Sequence, residues 1–286
     1  MGVGLLGGSL AMAIRERKLA GVLSGYVRRD ATITECEQAG LTDFATRDLL
    51  SAVNDADLII LCTPLGQMRE LAERFAPALK TGAIVTDVGS VKASVAAELD
   101  PIIKKAGAQF IGAHPMAGGE KTGVNSARPD LFQNAVCVIT PSPRANPFAV
   151  GRLEEFWRAV GSRVTTTTPA LHDELVARCS HLPHLIAAQL ATFVLDPQHP
   201  KEQPLLCATG FRDTTRIASG SPEMWRDIAL TNRDQVTLIL DKFLQDLQRL
   251  RATIASGDSQ KIESFFTAAK QRRDAWCAQT ASPSPE

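Results

Sequence analysis

Short apolar runs alternate with amphipathic stretches over the first 165 residues, and this alternation restricts the folds available to the chain. Runs of strand length lie at 22–27, 58–63, 83–88, 109–113 and 135–140, and helical patterns at 67–80 and 92–106 separate several of them. Strands that alternate with helices are typical of a parallel sheet with crossover connections. We therefore predict an α/β, doubly wound parallel sheet for this half.

A glycine-rich motif, G-x-G-x-x-G, stands at the very start of the sequence, with Gly2, Gly4 and Gly7 at its glycine positions. Such a loop turns tightly after a strand, lets the backbone approach a pyrophosphate and opens a helix whose N-terminus faces the phosphates. The motif, which includes Leu5 and Leu6, predicts a Rossmann dinucleotide site. The strand that should precede it is missing, which we interpret as a truncated or misassigned start.

The end of the next predicted strand bears on the choice between NAD and NADP. Sites for NAD usually place an acid there, whereas sites for NADP avoid the acid and offer arginines. Val27 takes the expected acid position, and Arg28 and Arg29 follow it. This pattern favours NADP, although two arginines at a solvated strand end, or Asp30 serving NAD, also fit the sequence.

After residue 165 nearly every segment has helical periodicity. Within 234–255 one stripe carries the apolar side chains, namely Val236, Ile239, Leu240, Phe243, Leu247 and Leu250. Gly257 is predicted to end this helix, and Asp258 or Ser259 to cap the next. We therefore predict domains at 1–165 and 166–279, with a disordered tail at 280–286.

Charge and cysteine usage exclude several classes of protein. The chain has 31 basic and 31 acidic residues, so no excess charge attracts nucleic acid. No apolar run approaches the roughly 20 residues that span a bilayer. The charges at 15–18 follow the apolar N-terminus rather than precede it, unlike a signal peptide. The six cysteines lack CxxC or metal-ligand spacing, which predicts reduced thiols, no metal site and a cytoplasmic protein.

Polar residues follow two of the predicted strands. Ser90 lies in the segment TDVGSVK and His114 in GAHPMAGGEKTG. Ligands of doubly wound sheets bind beyond the carboxyl ends of the strands, and a histidine there can take a proton near neutral pH. We therefore predict a catalytic site at this edge, with Thr63 and Pro64 beside the cofactor.

These two segments, together with GFRDTTRIA at 210–218 and PEMWRDI at 222–228, closely resemble the prephenate and arogenate dehydrogenases of tyrosine biosynthesis. The resemblance covers nearly the whole chain, short only of the first strand. It implies a Rossmann domain for NAD or NADP, followed by an all-helical domain for substrate binding and homodimer formation. It also implies oxidative decarboxylation of prephenate or arogenate with hydride transfer to the nicotinamide.

The resemblance further implies roles for individual residues. His114 is the catalytic base, supported by Ser90, and Arg216 is the clamp for a substrate carboxylate, a task that suits a bidentate guanidinium. His184 lies in the substrate pocket, where Pro183 should distort the helix and leave a carbonyl free. Three further residues order, gate or wall the site, namely Glu120, Asp213 and Trp225.

Several alternatives fit the residues taken singly. Arg216 also suits a surface ion pair, Trp225 a plain core position and Lys92 a helix surface. The whole chain could be another two-domain hydroxyacid dehydrogenase, or a non-catalytic or regulatory dinucleotide-binding protein. Hydroxyacid dehydrogenases usually rely on a lysine in the helical half, and the segment at 210–216 does not fit them. Whether the substrate is prephenate or arogenate stays open, with Glu120 a candidate partner for the ammonium of arogenate.

Overall fold

The computed structural model describes residues 1–119 and 123–281, so the predicted site residue Glu120 lies outside the described residues. The chain forms two compact units, Met1–Val236 and Thr237–Glu286. Among the described helices, none is both long and apolar enough to cross a membrane.

Eight strands form the sheets of the first unit. They are β1 (Ser24–Tyr26), β2 (Phe44–Thr46), β3 (Leu58–Leu61), β4 (Ile84–Asp87), β5 (Gln109–Phe110), β6 (Gly112–Pro115), β7 (Val136–Thr140) and β8 (Arg163–Thr166). They pair in the orders β1-β2, β3-β4-β5 and β6-β7-β8. Every described pair is parallel except β6 with β7. That pair is antiparallel because the connection between its strands contains no crossover helix among its described residues.

The backbone of Met1 and Gly2 joins the first two sheets. The Met1 ammonium donates to the Ile60 carbonyl at 2.7 Å, and the Cys62 amide donates to the Met1 carbonyl at 2.8 Å. The Gly2 amide donates to the Tyr26 carbonyl at 3.0 Å. Burial lowers the pKa of the Met1 ammonium below its usual value. These bonds place the glycine loop at the carboxyl ends of β1 and β3.

Six helices accompany the strands up to residue 160, namely α1 (Leu5–Glu16), α2 (Asp30–Gln38), α3 (Leu49–Val53), α4 (Leu65–Phe75), α5 (Ala93–Lys105) and α6 (Pro147–Val160). They cover both faces of the central strands. Val85 packs in one core cluster, with side chains of α3, α4 and α5, and Ile84 packs in another, with side chains of α1 and α6. Neighbouring residues of one strand thus face opposite layers, which confirms the doubly wound prediction.

Six more helices complete the chain, namely α7 (Pro169–Val176), α8 (Leu182–Val194), α9 (Thr209–Thr215), α10 (Pro222–Thr231), α11 (Arg233–Ala255) and α12 (Ser259–Ala281). A turn of π-helix, Ala177–His181, enters α8 with Pro183 in its first turn, so the predicted distortion is confirmed. Gly257 ends α11 with φ +66°, and Asp258 caps α12 by accepting the Lys261 amide at 3.1 Å. Of the predicted tail, residues 280 and 281 belong to α12, and 282–286 lie outside the described residues.

Candidate active site

The glycine loop leaves room where a phosphate would approach. A Cβ on Gly7 would lie 2.2 Å from the Gly2 carbonyl oxygen, and a Cβ on Gly2 would lie 2.7 Å from the Cys62 oxygen. A Cβ on Gly4 would meet nothing within 4 Å. Gly4 is the N-cap of α1 and has no side chain to cap the helix. The first turn of α1 is therefore open to an anion, and the loop fits a dinucleotide pyrophosphate.

Residues around this loop have the positions expected for cofactor contacts. Leu5 and Leu6 begin α1 and are half-buried against the core. Thr63 lies against Gly2, and its Oγ1 is buried without a hydrogen-bond partner in the described parts of the chain. Pro64 is the N-cap residue of α4.

The end of β1 presents two exposed arginines. Val27 is buried at 3% exposure, and Arg28 and Arg29 follow it at the surface. Asp30 begins α2 instead of extending the strand, and its carboxylate pairs with Arg47 at 3.0 Å. Two arginine side chains are therefore positioned beyond the strand, and the acid closest in sequence already has a cationic partner.

His114 lies on β6 at 7% exposure, among other buried polar groups. Its Nδ1 is 2.9 Å from Nε2 of His172, whose Nδ1 is 2.7 Å from Oδ1 of Asp173. Burial lowers the pKa of His114 well below its usual value, and the Lys92 ammonium and the neighbouring histidines lower it further. The surroundings of His114 therefore favour the neutral imidazole, which is the form that can accept a proton.

Lys92 is fully buried, so the helix-surface interpretation of this residue is wrong. Its Nζ forms an ion pair with Asp87, at the end of β4, and donates to the Ala113 carbonyl at 2.9 Å. Burial lowers the pKa of Lys92, whereas Asp87 acts in the opposite direction. The pair fixes the end of β4 to β6 next to His114.

Ser90 lies half-buried in the turn between β4 and α5. The same turn is held by Asp173, whose Oδ1 and Oδ2 accept the backbone amides of Lys92 and Ala93 at 2.8 Å each. The backbone of Ser90 interacts with the ring of His181, whose pKa burial lowers to about 4. The structure thus brings Ser90 to the same cluster as His114, and its supporting role stays a prediction.

His184 and Trp225 form one wall of the site. Their rings stack at 4.0 Å between centroids, and Trp225 meets His181 edge-on at 6.2 Å. His184 donates from Nδ1 to the Ser180 carbonyl at 2.9 Å, which leaves its Nε2 as an acceptor. The Nε1 of Trp225 is buried and has no hydrogen-bond partner in the described residues.

Arg216 lines a cavity of about 420 Å³ together with Phe211, Arg212 and Thr215. It begins the 3₁₀ turn Arg216–Ser219, which packs against α8, the helix of His184. Asp213 is exposed on α9, one turn before Arg216. The exposed guanidinium of Arg216 borders a cavity that has both apolar and cationic side chains in its wall, and such a cavity is suited to a ligand with a carboxylate.

Sequence reasoning missed His172, Asp173 and Asn232. Asn232 donates to the Asp173 carbonyl at 3.0 Å and approaches Nδ1 of His181 at 3.2 Å. The only local signal was an adjacent His–Asp pair in the first turns of a helix that starts at Pro169. No group of three metal-ligating side chains occurs in residues 1–119 and 123–281.

Two family models match the chain. Residues 10–166 match the model described as prephenate dehydrogenase, nucleotide-binding domain, and residues 168–270 match prephenate dehydrogenase, dimerization domain. A cyclohexadienyl dehydrogenase of Zymomonas mobilis is 34% identical over 96% of this chain and 93% of its own length. A prephenate dehydrogenase of Bacillus subtilis is 33% identical over 96% of this chain and 74% of its own length.

Solved structures have the same architecture. A prephenate dehydrogenase of Aquifex aeolicus, in complex with hydroxyphenyl propionate and NAD⁺, superposes with a TM-score of 0.90 at 30% identity, over 96% of both chains. An arogenate dehydrogenase of Synechocystis superposes with a TM-score of 0.82 at 32% identity, over 96% of this chain and 98% of that one.

Proposed function

The chain belongs to the prephenate dehydrogenase family, and we propose that it oxidatively decarboxylates prephenate or arogenate, with NAD or NADP accepting the hydride. The observation that carries the proposal is His114, a buried histidine on β6, which Lys92 ties to the end of β4 in the sheet whose strand β3 ends at the glycine loop. The products are 4-hydroxyphenylpyruvate from prephenate and tyrosine from arogenate.

The cofactor would be held by the loop from Gly2 to Gly7, with Thr63 and Pro64 beside it. When bound, it supplies the acceptor for the hydride that leaves the substrate ring. The rest of the reaction depends on how the protein orients the substrate and where it moves a proton.

His114 acts on the hydroxyl of the substrate ring. Its Nε2 takes the hydroxyl proton as the hydride leaves the same ring carbon, so that carbon gains a double bond to oxygen. The ring carboxylate then leaves as carbon dioxide, and the electrons of the broken carbon–carbon bond make the ring aromatic. His114 returns the proton to the ring oxygen, which completes the product and regenerates the base.

Arg216 binds a substrate carboxylate from the cavity that it shares with Phe211 and Arg212. The stacked rings of His184 and Trp225 wall the other side of the substrate, and Nε2 of His184 is the ring nitrogen left to meet it. Asp213 is exposed one turn before Arg216, and together with Glu120 it orders or gates the substrate site.

The two candidate substrates differ in their side chain, which is a ketoacid in prephenate and an amino acid in arogenate. The ammonium of arogenate needs a carboxylate partner in a partly desolvated pocket. Glu120 is our candidate for that partner.

An assay of both substrates against both cofactors tests the proposed function. Reduced nicotinamide should form in proportion to carbon dioxide with at least one of the four pairs. His114→Asn is the control, because it removes the base and leaves the cofactor loop intact. A protein that binds the cofactor but turns over neither substrate would support the non-catalytic alternative.

We further propose that the cofactor is NADP, since exposed Arg28 and Arg29 follow β1 while Asp30 is paired with Arg47. A guanidinium at hydrogen-bond distance is a strong partner for a 2′-phosphate, which carries nearly two negative charges.

We also propose a homodimer formed through the helical half, 166–279. Part of this half matches the family model described as a dimerization domain. In the second unit several large apolar side chains are exposed in the single chain, namely Leu244, Leu247, Ile254, Phe265 and Phe266. An apolar surface of this kind is typical of a homodimer interface.

A further inference from the structure

Three buried side chains form a hydrogen-bonded series that ends at the proposed base. His114 comes from β6, and His172 and Asp173 come from the first turns of α7. Their exposures are 7%, 2% and 3%, and their contacts measure 2.9 Å and 2.7 Å. Solvent is therefore largely excluded from the series, and the atoms that join its three side chains depend on one another for their hydrogen bonds.

The direction of these hydrogen bonds follows from Asp173. Both of its oxygens accept backbone amides, from Lys92 and Ala93, and a backbone amide can only donate. The carboxylate therefore accepts from Nδ1 of His172 as well. With Nδ1 protonated, Nε2 of a neutral His172 is an acceptor, so His114 must donate to it from Nδ1. A neutral His114 is then left with an unprotonated Nε2.

We propose that His172 and Asp173 are positioning residues, which fix the tautomer of His114 so that its Nε2 is free to take the substrate proton. This inference rests on the proposed function for the identity of the substrate. The geometry resembles the general arrangement in which a carboxylate orients a catalytic histidine, here with a second histidine between them.

The same series responds to the charge that forms during the reaction. When Nε2 of His114 gains the hydroxyl proton, the imidazolium keeps its Nδ1 bond to His172 and faces the negative charge of Asp173 beyond it. The other ionisable groups around the ring are Lys92, which is paired with Asp87, together with His181 and Cys137. Because Lys92 and Asp87 offset each other, Asp173 is the anion available to compensate the new charge.

The tautomer itself is the first measurement, and it needs no activity. In protein labelled with ¹⁵N-histidine, the ring signals of His114 are assigned by their loss in His114→Asn. We expect a protonated Nδ1 and an unprotonated Nε2 in the wild type, and loss of this preference in His172→Phe. A wild-type His114 protonated on Nε2 overturns the proposal whatever the kinetics show.

The second measurement is steady-state kinetics. His172→Phe removes the acceptor and should lower kcat by about 10–10³-fold, part of the full worth of a general base. KM for the substrate should stay within about twofold, because both ring nitrogens of His172 are bonded to protein side chains. His172→Gln retains an acceptor oxygen at this position and should recover most of the lost kcat.

His199→Gln is the matched control, since His199 lies in a surface turn where its ring contacts Phe193 and not the His114 series. If the wild type turns over substrate and His172→Phe keeps its kcat and its tautomer, the proposal is wrong. If the wild type turns over neither substrate, the proposed function fails, and the tautomer measurement still decides the role of His172. If His172→Phe does not fold, His172→Gln and the wild-type spectrum decide it.

Discussion

His114 and Arg216 are proposed, at the scale of single residues, to serve one reaction in two different ways. His114 is buried and is proposed to hold a proton only during the reaction, whereas Arg216 is exposed and places a permanent charge at a cavity. A base acts in the transition state, and a carboxylate clamp acts in the ground state as well. Substitutions of the two should therefore affect different kinetic constants.

We expect His114→Asn to lower kcat by about 10²–10⁴-fold, the usual worth of a general base, with little change in substrate KM. The amide can still hydrogen-bond to the hydroxyl but cannot take its proton. Arg216→Ala should mainly raise KM, because it removes binding to a carboxylate. Arg158→Ala, at an exposed ion pair on α6, is the control and should change neither constant. Equal losses of kcat in both variants would show that these roles are misassigned.

The proposed preference for NADP also rests on single residues. Arg28→Ala combined with Arg29→Ala should lower kcat/KM for NADP far more than for NAD. The two arginines are the proposed partners of the 2′-phosphate, and NAD has no such phosphate. The measurement is kcat/KM for each cofactor in both proteins. A wild-type preference for NAD, or an unchanged ratio in the double variant, would mean that the arginines are a solvated strand end.

At the scale of elements, the first turn of α1 and the loop before it pack so closely on neighbouring backbone that only glycine fits at some positions. Gly7→Ala should weaken cofactor binding strongly, because its Cβ would lie 2.2 Å from the Gly2 carbonyl and must displace the loop. Gly151→Ala is the matched control, since it lies inside α6 and its Cβ would meet nothing within 4 Å. That change should stabilise the protein by about 0.5–1 kcal/mol through helix propensity.

Isothermal titration with the cofactor and thermal unfolding distinguish these outcomes. Gly7→Ala should lose affinity even where it remains folded, and Gly151→Ala should keep the wild-type affinity. Unchanged cofactor binding in Gly7→Ala would show that the loop does not hold the pyrophosphate.

At the scale of the whole molecule, we expect light scattering to give a mass of about twice 30.7 kDa at micromolar concentration. The apolar side chains left exposed in the second unit need a partner surface to be buried. Phe266→Glu, on α12 at 61% exposure, should shift the mass toward the monomer. A monomeric wild type would contradict the proposed assembly.

Protein stability should also depend on pH through the buried histidines. The pKa of His114 is lowered well below its usual value, and that of His181 to about 4, by burial in both cases. Below about pH 6.5 these histidines bind protons in the unfolded chain but not in the folded chain. The free energy of unfolding therefore falls as pH falls from about 6.5 toward 4. Each histidine contributes up to about tenfold per pH unit in the unfolding equilibrium. A urea midpoint that stays constant between pH 7 and pH 5 would argue against this.

Local patterns were sufficient for much of this protein. Strand and helix periodicity depends on neighbouring residues, so the α/β half, the helical half and the caps at Gly257 and Asp258 could be predicted. The glycine loop followed in the same way. The prediction that His114 follows a strand was wrong, because the chain pairs again after Ile111 and His114 lies within β6, opposite Val138. A family resemblance in short segments supplied the reaction.

Tertiary structure alone decided how the site is assembled. His114 meets His172 across 58 positions of sequence, and Asp173 holds the amide of Lys92 across 81. No periodicity or spacing encodes such contacts, because they form only when α7 packs beside β6 and the turn after β4. Lys92 shows the same limit, since its local pattern suits a helix surface and only the packed sheet buries it beside Asp87.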